Sequence, residues 1–144
     1  MKILIIDDTP NKIKNLEKTI KEYSSDFIIE KRESYQTGYN ALKSDSFDLV
    51  LLDMSIPLYD LEGNVEPLGG KFFLIEMERI GIDTNVIVVT QFPNFGAGKS
   101  QLTLDELNAD IKQYKNYKRT IFYDSKNTKW KIELINYIKS LKVK

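Results

Sequence analysis

The chain has neither cysteine nor histidine among its 144 residues. Without cysteine there can be no disulfide framework, zinc-thiolate site or thiol nucleophile. Without histidine the usual general base, the commonest metal ligand and any internal phosphohistidine are excluded as well. A metal must therefore be held by oxygen, which selects a hard ion such as Mg²⁺. Long hydrophobic runs are also missing. The apolar stretch at the amino terminus, Ile3 to Ile6, is far too short for a signal peptide or a membrane span, so no membrane association and a cytoplasmic location are expected. Internal repeats, low-complexity tracts and domain-dividing linkers are absent, and one domain over residues 1–144 is expected.

Net charge is lacking overall, with 21 basic and 21 acidic side chains, but the two ends differ. Residues 1–98 carry 10 basic against 16 acidic groups, a balance of −6, whereas residues 99–144 carry 11 against 5, a balance of +6. The basic, aromatic-interleaved segment from Lys112 to Arg119 reads as a solvated helix end rather than a nucleic-acid footprint, since lysine-rich faces commonly serve solubility.

What is present is a run of strand-forming residues from Phe47 to Leu52 that stops abruptly at Asp53 and reaches Pro57. An unbroken apolar run marks a central strand buried on both faces, which places Asp53 at its carboxyl end, where open α/β sheets bind ligands. Two further runs behave alike: Lys2 to Ile6 ends in Asp7-Asp8, and Val86 to Val89 ends in Thr90. Short strands at Phe27 to Lys31 and Thr120 to Tyr123 complete a set of five. Between them, apolar residues recur at helical steps: Ile13, Leu16, Ile20 and Tyr23; Tyr39 and Leu42; Phe73, Leu74, Met77 and Ile80, stopping at Gly81; and Trp130, Leu134, Ile138 and Leu141. Pro10 suits a first helical turn, with Asp8 or Thr9 as its cap, and Thr103 with Glu106 has capping-box spacing. Five strands alternating with five helices predict an α/β three-layer sandwich, a doubly wound, flavodoxin-like parallel sheet of order 2-1-3-4-5. Residues 58–70 and 91–101 form long loops at the ligand end of that sheet.

In such a sheet the first and third strands are neighbours, so Asp7, Asp8 and Asp53 converge. Two carboxylates ~4 Å apart repel by ~4 kcal/mol at an effective dielectric of ~20, and either a proton or a divalent cation must relieve them. Mg²⁺ fits, because it needs few protein ligands and also binds phosphate oxygens. A carboxylate beside it can attack a phosphoryl group and form an acyl phosphate.

In order along the chain stand the acidic pair Asp7-Asp8, Asp53 followed four residues later by Pro57, Thr90, and Tyr123 followed three residues later by Lys126. This set resembles the receiver domain of two-component response regulators over essentially the whole length. The resemblance implies that Asp53 is the phosphoacceptor and that Asp8, Asp53 and the Ser55 backbone carbonyl hold Mg²⁺, with Asp7 acting through water. It implies that Thr90 hydrogen-bonds the phosphoryl group, that Tyr123 changes rotamer in response and that Lys126 pairs with the phosphate. The implied partners are a histidine kinase or phosphotransfer protein upstream and a downstream protein met by the fourth helix, fifth strand and fifth helix. The chemistry is confined to self-phosphorylation and self-dephosphorylation. Asn127 follows Lys126 where the family usually has proline, and Gln91 and Phe92 follow Thr90 where it has a small residue.

Two alternatives use other features. A degenerate receiver would keep the acidic site as a phosphorylation-independent interaction module. A small nucleotide binder would use residues 93–100, which resemble a phosphate-binding G-x-x-x-x-G-K-S loop, although Pro93 stands in place of its first glycine and offers no N–H.

Overall fold

The computed structural model describes residues 1–60, 65–96, 98 and 101–142. Its main sheet is built from β1 (Lys2–Ile6), β2 (Ile28–Arg32), β3 (Leu49–Leu52), β4 (Asn85–Thr90) and β7 (Tyr117–Phe122). All neighbours are parallel, in the order β2-β1-β3-β4-β7. With the last strand counted as the fifth of this sheet, that is the predicted doubly wound order. The connecting helices are α1 (Pro10–Tyr23), α2 (Tyr35–Ser44), α3 (Gly69–Ile80), α4 (Leu104–Ile111) and α5 (Lys129–Lys142).

β1, β3 and β4 are apolar on both faces because both faces are covered. Leu4, Ile6, Val50, Leu52, Val86 and Val88 face α2, α3 and α4 through Leu42, Phe73, Met77 and Leu107. The alternate residues Ile3, Ile5, Leu49, Leu51, Ile87 and Val89 face α1 and α5 through Leu16, Ile20, Trp130 and Leu134. Gly38 of α2 has a steric reason: a Cβ there would lie 2.6 Å from the Ile6 side chain, so the helix can lie this close to β1 only without one.

Several local features differ from the expectations. Thr9 is the N-cap of α1 but makes no side-chain cap; instead its own N–H donates to the Asp7 carboxylate at 2.9 Å, because that carboxylate lies immediately beneath the turn. α3 begins at Gly69, inside the segment 58–70 expected as loop, drawn in by the Gly70 N–H donating to the Met54 carbonyl at 2.8 Å. The last strand starts at Tyr117, so the segment read as a solvated helix end is partly sheet. The buried Asn116 sets this register, its side chain donating to the Thr84 carbonyl at 3.0 Å while its own carbonyl accepts from Val86 at 2.8 Å. Within residues 91–101 lies β5 (Asn94–Phe95), which pairs antiparallel with β6 (Leu102–Thr103) and sinks Phe95 into the core. The capping box at Thr103 and Glu106 is formed.

The other long loop is pinned at its base. Ile56 and Glu66 form an antiparallel bridge, and the Pro57 and Leu58 carbonyls accept from Tyr35 and Gln36 at the start of α2. Residues 61–64 of this loop, and Lys99 and Ser100 of the nucleotide-loop look-alike, lie outside the described residues. Among the described residues, no helix is long and apolar enough to cross a membrane.

Candidate functional site

The parallel register carries the acidic residues together. Ile6 pairs with Leu52, and the ladder runs one step further as the Asp53 N–H donates to the Ile6 carbonyl at 2.9 Å. Asp7 follows Ile6 and anchors its own N–H on the Arg32 carbonyl at 3.0 Å. The Asp7, Asp8 and Asp53 carboxylates each bring one oxygen to within 4.8 Å of the others. Asp7 and Asp53 are each only 1% exposed, and Asp8 is half-buried.

Burial at this density is costly for negative charge. It pushes the Asp53 carboxyl up to about 7; Lys12 opposes the shift, and Asp7 and Asp8 add to it. Asp8 is also raised, first by burial and then by the charge of Asp7. Among the described residues, no donor is in hydrogen-bond geometry with either oxygen of Asp53. A buried carboxylate left in this way is high in energy, and its charge needs a cation or a proton.

A cation does face it, and the motif pattern did not name it. Lys12 of α1 is 1% exposed and places Nζ 2.7 Å from Asp7 Oδ2 and 3.3 Å from Asp53 Oδ1, the latter in ion-pair contact without hydrogen-bond geometry. It also donates to the Val89 carbonyl at 2.6 Å. One signal was available in the sequence: carried back one turn, the apolar stripe of Leu16, Ile20 and Tyr23 lands on Lys12, on the face that must be buried.

The other expected residues divide. Thr90 is buried at the end of β4, its hydroxyl accepting the Phe92 N–H at 3.2 Å. Ser55 lies just beyond Asp53 and donates its hydroxyl to the Pro67 carbonyl at 3.1 Å. Tyr123 is buried on the α1 and α5 face, where it packs against Trp130 with ring centroids 4.9 Å apart and accepts from Asn15 at 2.8 Å. Lys126 is exposed; its N–H donates to Asp124 at 2.9 Å, and it lines a hollow with Asn15, Asn127 and Lys131. Among the described residues, no ion pair joins Lys126 to the acidic cluster.

Gly70 closes the floor. A Cβ there would sit 2.9 Å from the Asp53 carbonyl oxygen and 2.9 Å from Met54 Cα, so only glycine lets α3 start against this strand end. Above it, a hollow of about 370 Å³ is lined by Asp8 and Ser55 and walled by Val65, Pro67, Phe92 and Phe95.

No family model matches the chain. Across 98% of its length and the whole of the relative, however, it is 35% identical to the Detocs response regulatory protein DtcB of Enterobacter cloacae (strain JD6301). The chain belongs to the response regulator receiver family. Solved structures share its fold. The response regulator TrrA of Thermotoga maritima, crystallised in complex with Mg²⁺-BeF, superposes with a TM-score of 0.68 over 97% of both chains at 21% identity. A CheY-like receiver domain from Methanospirillum hungatei JF-1 gives 0.67 over 96% of this chain and 90% of its own, at 18% identity. As a receiver, the chain is a two-component signalling protein, and kinases or phosphotransfer proteins and downstream effectors are the general partners of its kind.

Proposed function

We propose that this receiver is a phosphorylation switch in which Asp53 accepts a phosphoryl group in a Mg²⁺-dependent reaction. The observation that carries this reading is the Asp53 carboxylate itself, buried beside two other carboxylates, with neither oxygen in hydrogen-bond geometry with a donor among the described residues. Lys12 offsets only part of the charge of such a group, which leaves a carboxylate that can act as a nucleophile.

The donor set is entirely oxygen and suits a hard divalent ion. Asp8, Asp53 and the Ser55 carbonyl would hold Mg²⁺, with Asp7 acting through water. When bound, the ion supplies the positive charge that offsets the incoming phosphoryl oxygens.

The chain's own residues do the rest. A partner's phosphohistidine presents phosphorus to Asp53, one carboxylate oxygen forms the new O–P bond, and the N–P bond breaks with its electron pair returning to the imidazole. Water attack on the acyl phosphate later releases inorganic phosphate and restores the carboxylate. The Thr90 hydroxyl, at the neighbouring strand end, can give its own proton to a phosphoryl oxygen. The histidine must come from a kinase or phosphotransfer protein, because this chain has none. Output passes by protein contact through α4, β7 and α5, where Phe122 stands 45% exposed.

One observation favours a second reading. The Lys12 ion pair already balances part of the Asp53 charge, as it would in an interaction module that signals without phosphate. Beryllofluoride, a phosphoryl mimic, separates the two. Trp130 is the only tryptophan and packs on Tyr123. A Mg²⁺-dependent change in its fluorescence that vanishes in Asp53→Asn supports the switch, whereas no response at saturating Mg²⁺ supports the module.

A further inference from the structure

We infer that Lys12, on the first helix, is the phosphate-binding lysine of this receiver, in place of Lys126 after the last strand. This rests on the reading of Asp53 as phosphoacceptor.

Position comes first. The Lys12 ammonium touches three strand ends at once: Asp7 beyond β1, Asp53 beyond β3 and the Val89 carbonyl near the end of β4. A phosphoryl group on Asp53 must emerge among these same strand ends. An ammonium has three N–H donors. One is spent on Val89 and one faces Asp7, while the third is left for Asp53, whose Oδ1 lies 3.3 Å from Nζ. A phosphoryl oxygen carried on Asp53 would take over that third donor, and charge-assisted bonds of this kind are the strong ones.

Register comes second. Thr90 pairs with Phe122, not with Tyr123. Side chains alternate along a strand, and Ile121 and Tyr123 both belong to the α1 and α5 face, so the aromatic that shares the face of Thr90 is Phe122. Three residues beyond Phe122 stands Ser125, which has no amine. Lys126 is one residue late and is exposed beside Asn15 and Lys131, on the outer side of α1 and α5.

Cost comes third. Burying an ammonium at 1% exposure is expensive, and a solvated surface would accept lysine at no cost. Its partners here are the very carboxylates proposed for phosphoryl transfer, so the buried charge is invested in that site. A consequence follows for signalling: the phosphoryl group would pull on α1, a helix packed against α5 through Trp130 and Leu134, rather than on the loop between β7 and α5.

The test compares Lys12→Gln with Lys126→Gln in beryllofluoride titrations at fixed Mg²⁺, with Asp53→Asn as reference. Loss of a charge-assisted bond should weaken beryllofluoride by about tenfold or more in Lys12→Gln, with Lys126→Gln within about twofold of the parent. Equal or reversed effects overturn the assignment while leaving Asp53 as acceptor. A parent protein that does not respond to beryllofluoride overturns both. Because Lys12→Gln leaves two buried carboxylates without their cation and can fail to fold, lysine ammonium NMR on the parent protein gives an independent answer. With Lys126 assigned from its variant, beryllofluoride should move the slowly exchanging, buried Nζ signal and leave that of Lys126 in place. Movement of the Lys126 signal alone overturns the inference.

Discussion

Thr90 and Phe122 stand opposite each other across β4 and β7, and Tyr123, one residue further on, turns to the other face of the sheet. The two adjacent aromatics therefore have different freedom. Tyr123 is 5% exposed, packed against Trp130 and held by Asn15, whereas Phe122 meets solvent. Tyr123→Phe should cost about 1 kcal/mol of stability through the lost hydroxyl bond, read by urea unfolding. Fluorine-labelled phenylalanine should show Phe122 responding to beryllofluoride. A response confined to fluorine-labelled tyrosine at 123 would instead assign the rotamer change to Tyr123.

Protonation of Asp53 sets a pH dependence. Its carboxyl is raised from 3.8 to about 7 by burial, so between these values the folded chain holds a proton that the unfolded chain has lost. Stability from this group is therefore full below the unfolded value and declines as pH rises toward 7. Asp53→Asn removes the charge and should stabilise the metal-free protein by about 2 kcal/mol at pH 8, with the difference fading toward pH 4. Thermal unfolding at the two pH values checks the sign. Mg²⁺ should narrow the gap at pH 8, since it stabilises only the form with the carboxylate.

Gly70→Ala tests the floor of the site. The added methyl meets backbone atoms of Asp53 and Met54 that cannot move independently of β3. A loss of about 1–3 kcal/mol is expected, together with weaker Mg²⁺ binding, because the strand end carrying Asp53 must shift. Denaturant unfolding and a Mg²⁺ titration read the two effects.

The walls of the hollow bear on lifetime. Phe92, Phe95, Val65 and Pro67 place apolar surface around Asp8 and Ser55, the neighbours of Asp53, on the side from which water would reach an acyl phosphate there. The phosphorylated form should outlast minutes at neutral pH, and Phe92→Ala should shorten it severalfold. Decay within seconds in the parent protein would count against shielding.

Much of this architecture was legible because a short apolar run rich in β-branched residues and bounded by polar or turn residues marks a buried parallel strand. Leu49 to Leu52 and Val86 to Val89 could be little else, and their polar ends located the carboxylates and Thr90. The short hairpin of β5 and β6 was not legible, since two-residue strands have no period and Phe95 is a lone apolar residue in a loop. The start of β7 was hidden because Lys118 and Arg119 face solvent at a sheet edge. Lys12 was missed for a different reason: a charged residue on an apolar stripe reads as the end of the stripe unless something buried can pair with it, and Asp7 and Asp53 reach it only through the fold. Tyr123 and Phe122 differ by a single step in register, which only strand pairing resolves.

The most direct measurement is the mass of the intact protein after incubation with acetyl phosphate and Mg²⁺. The account predicts the gain of a single phosphoryl group in the parent chain, removed by hydroxylamine as an acyl phosphate requires, and no gain in Asp53→Asn or without Mg²⁺. An unmodified parent chain, or equal modification of Asp53→Asn, would contradict it.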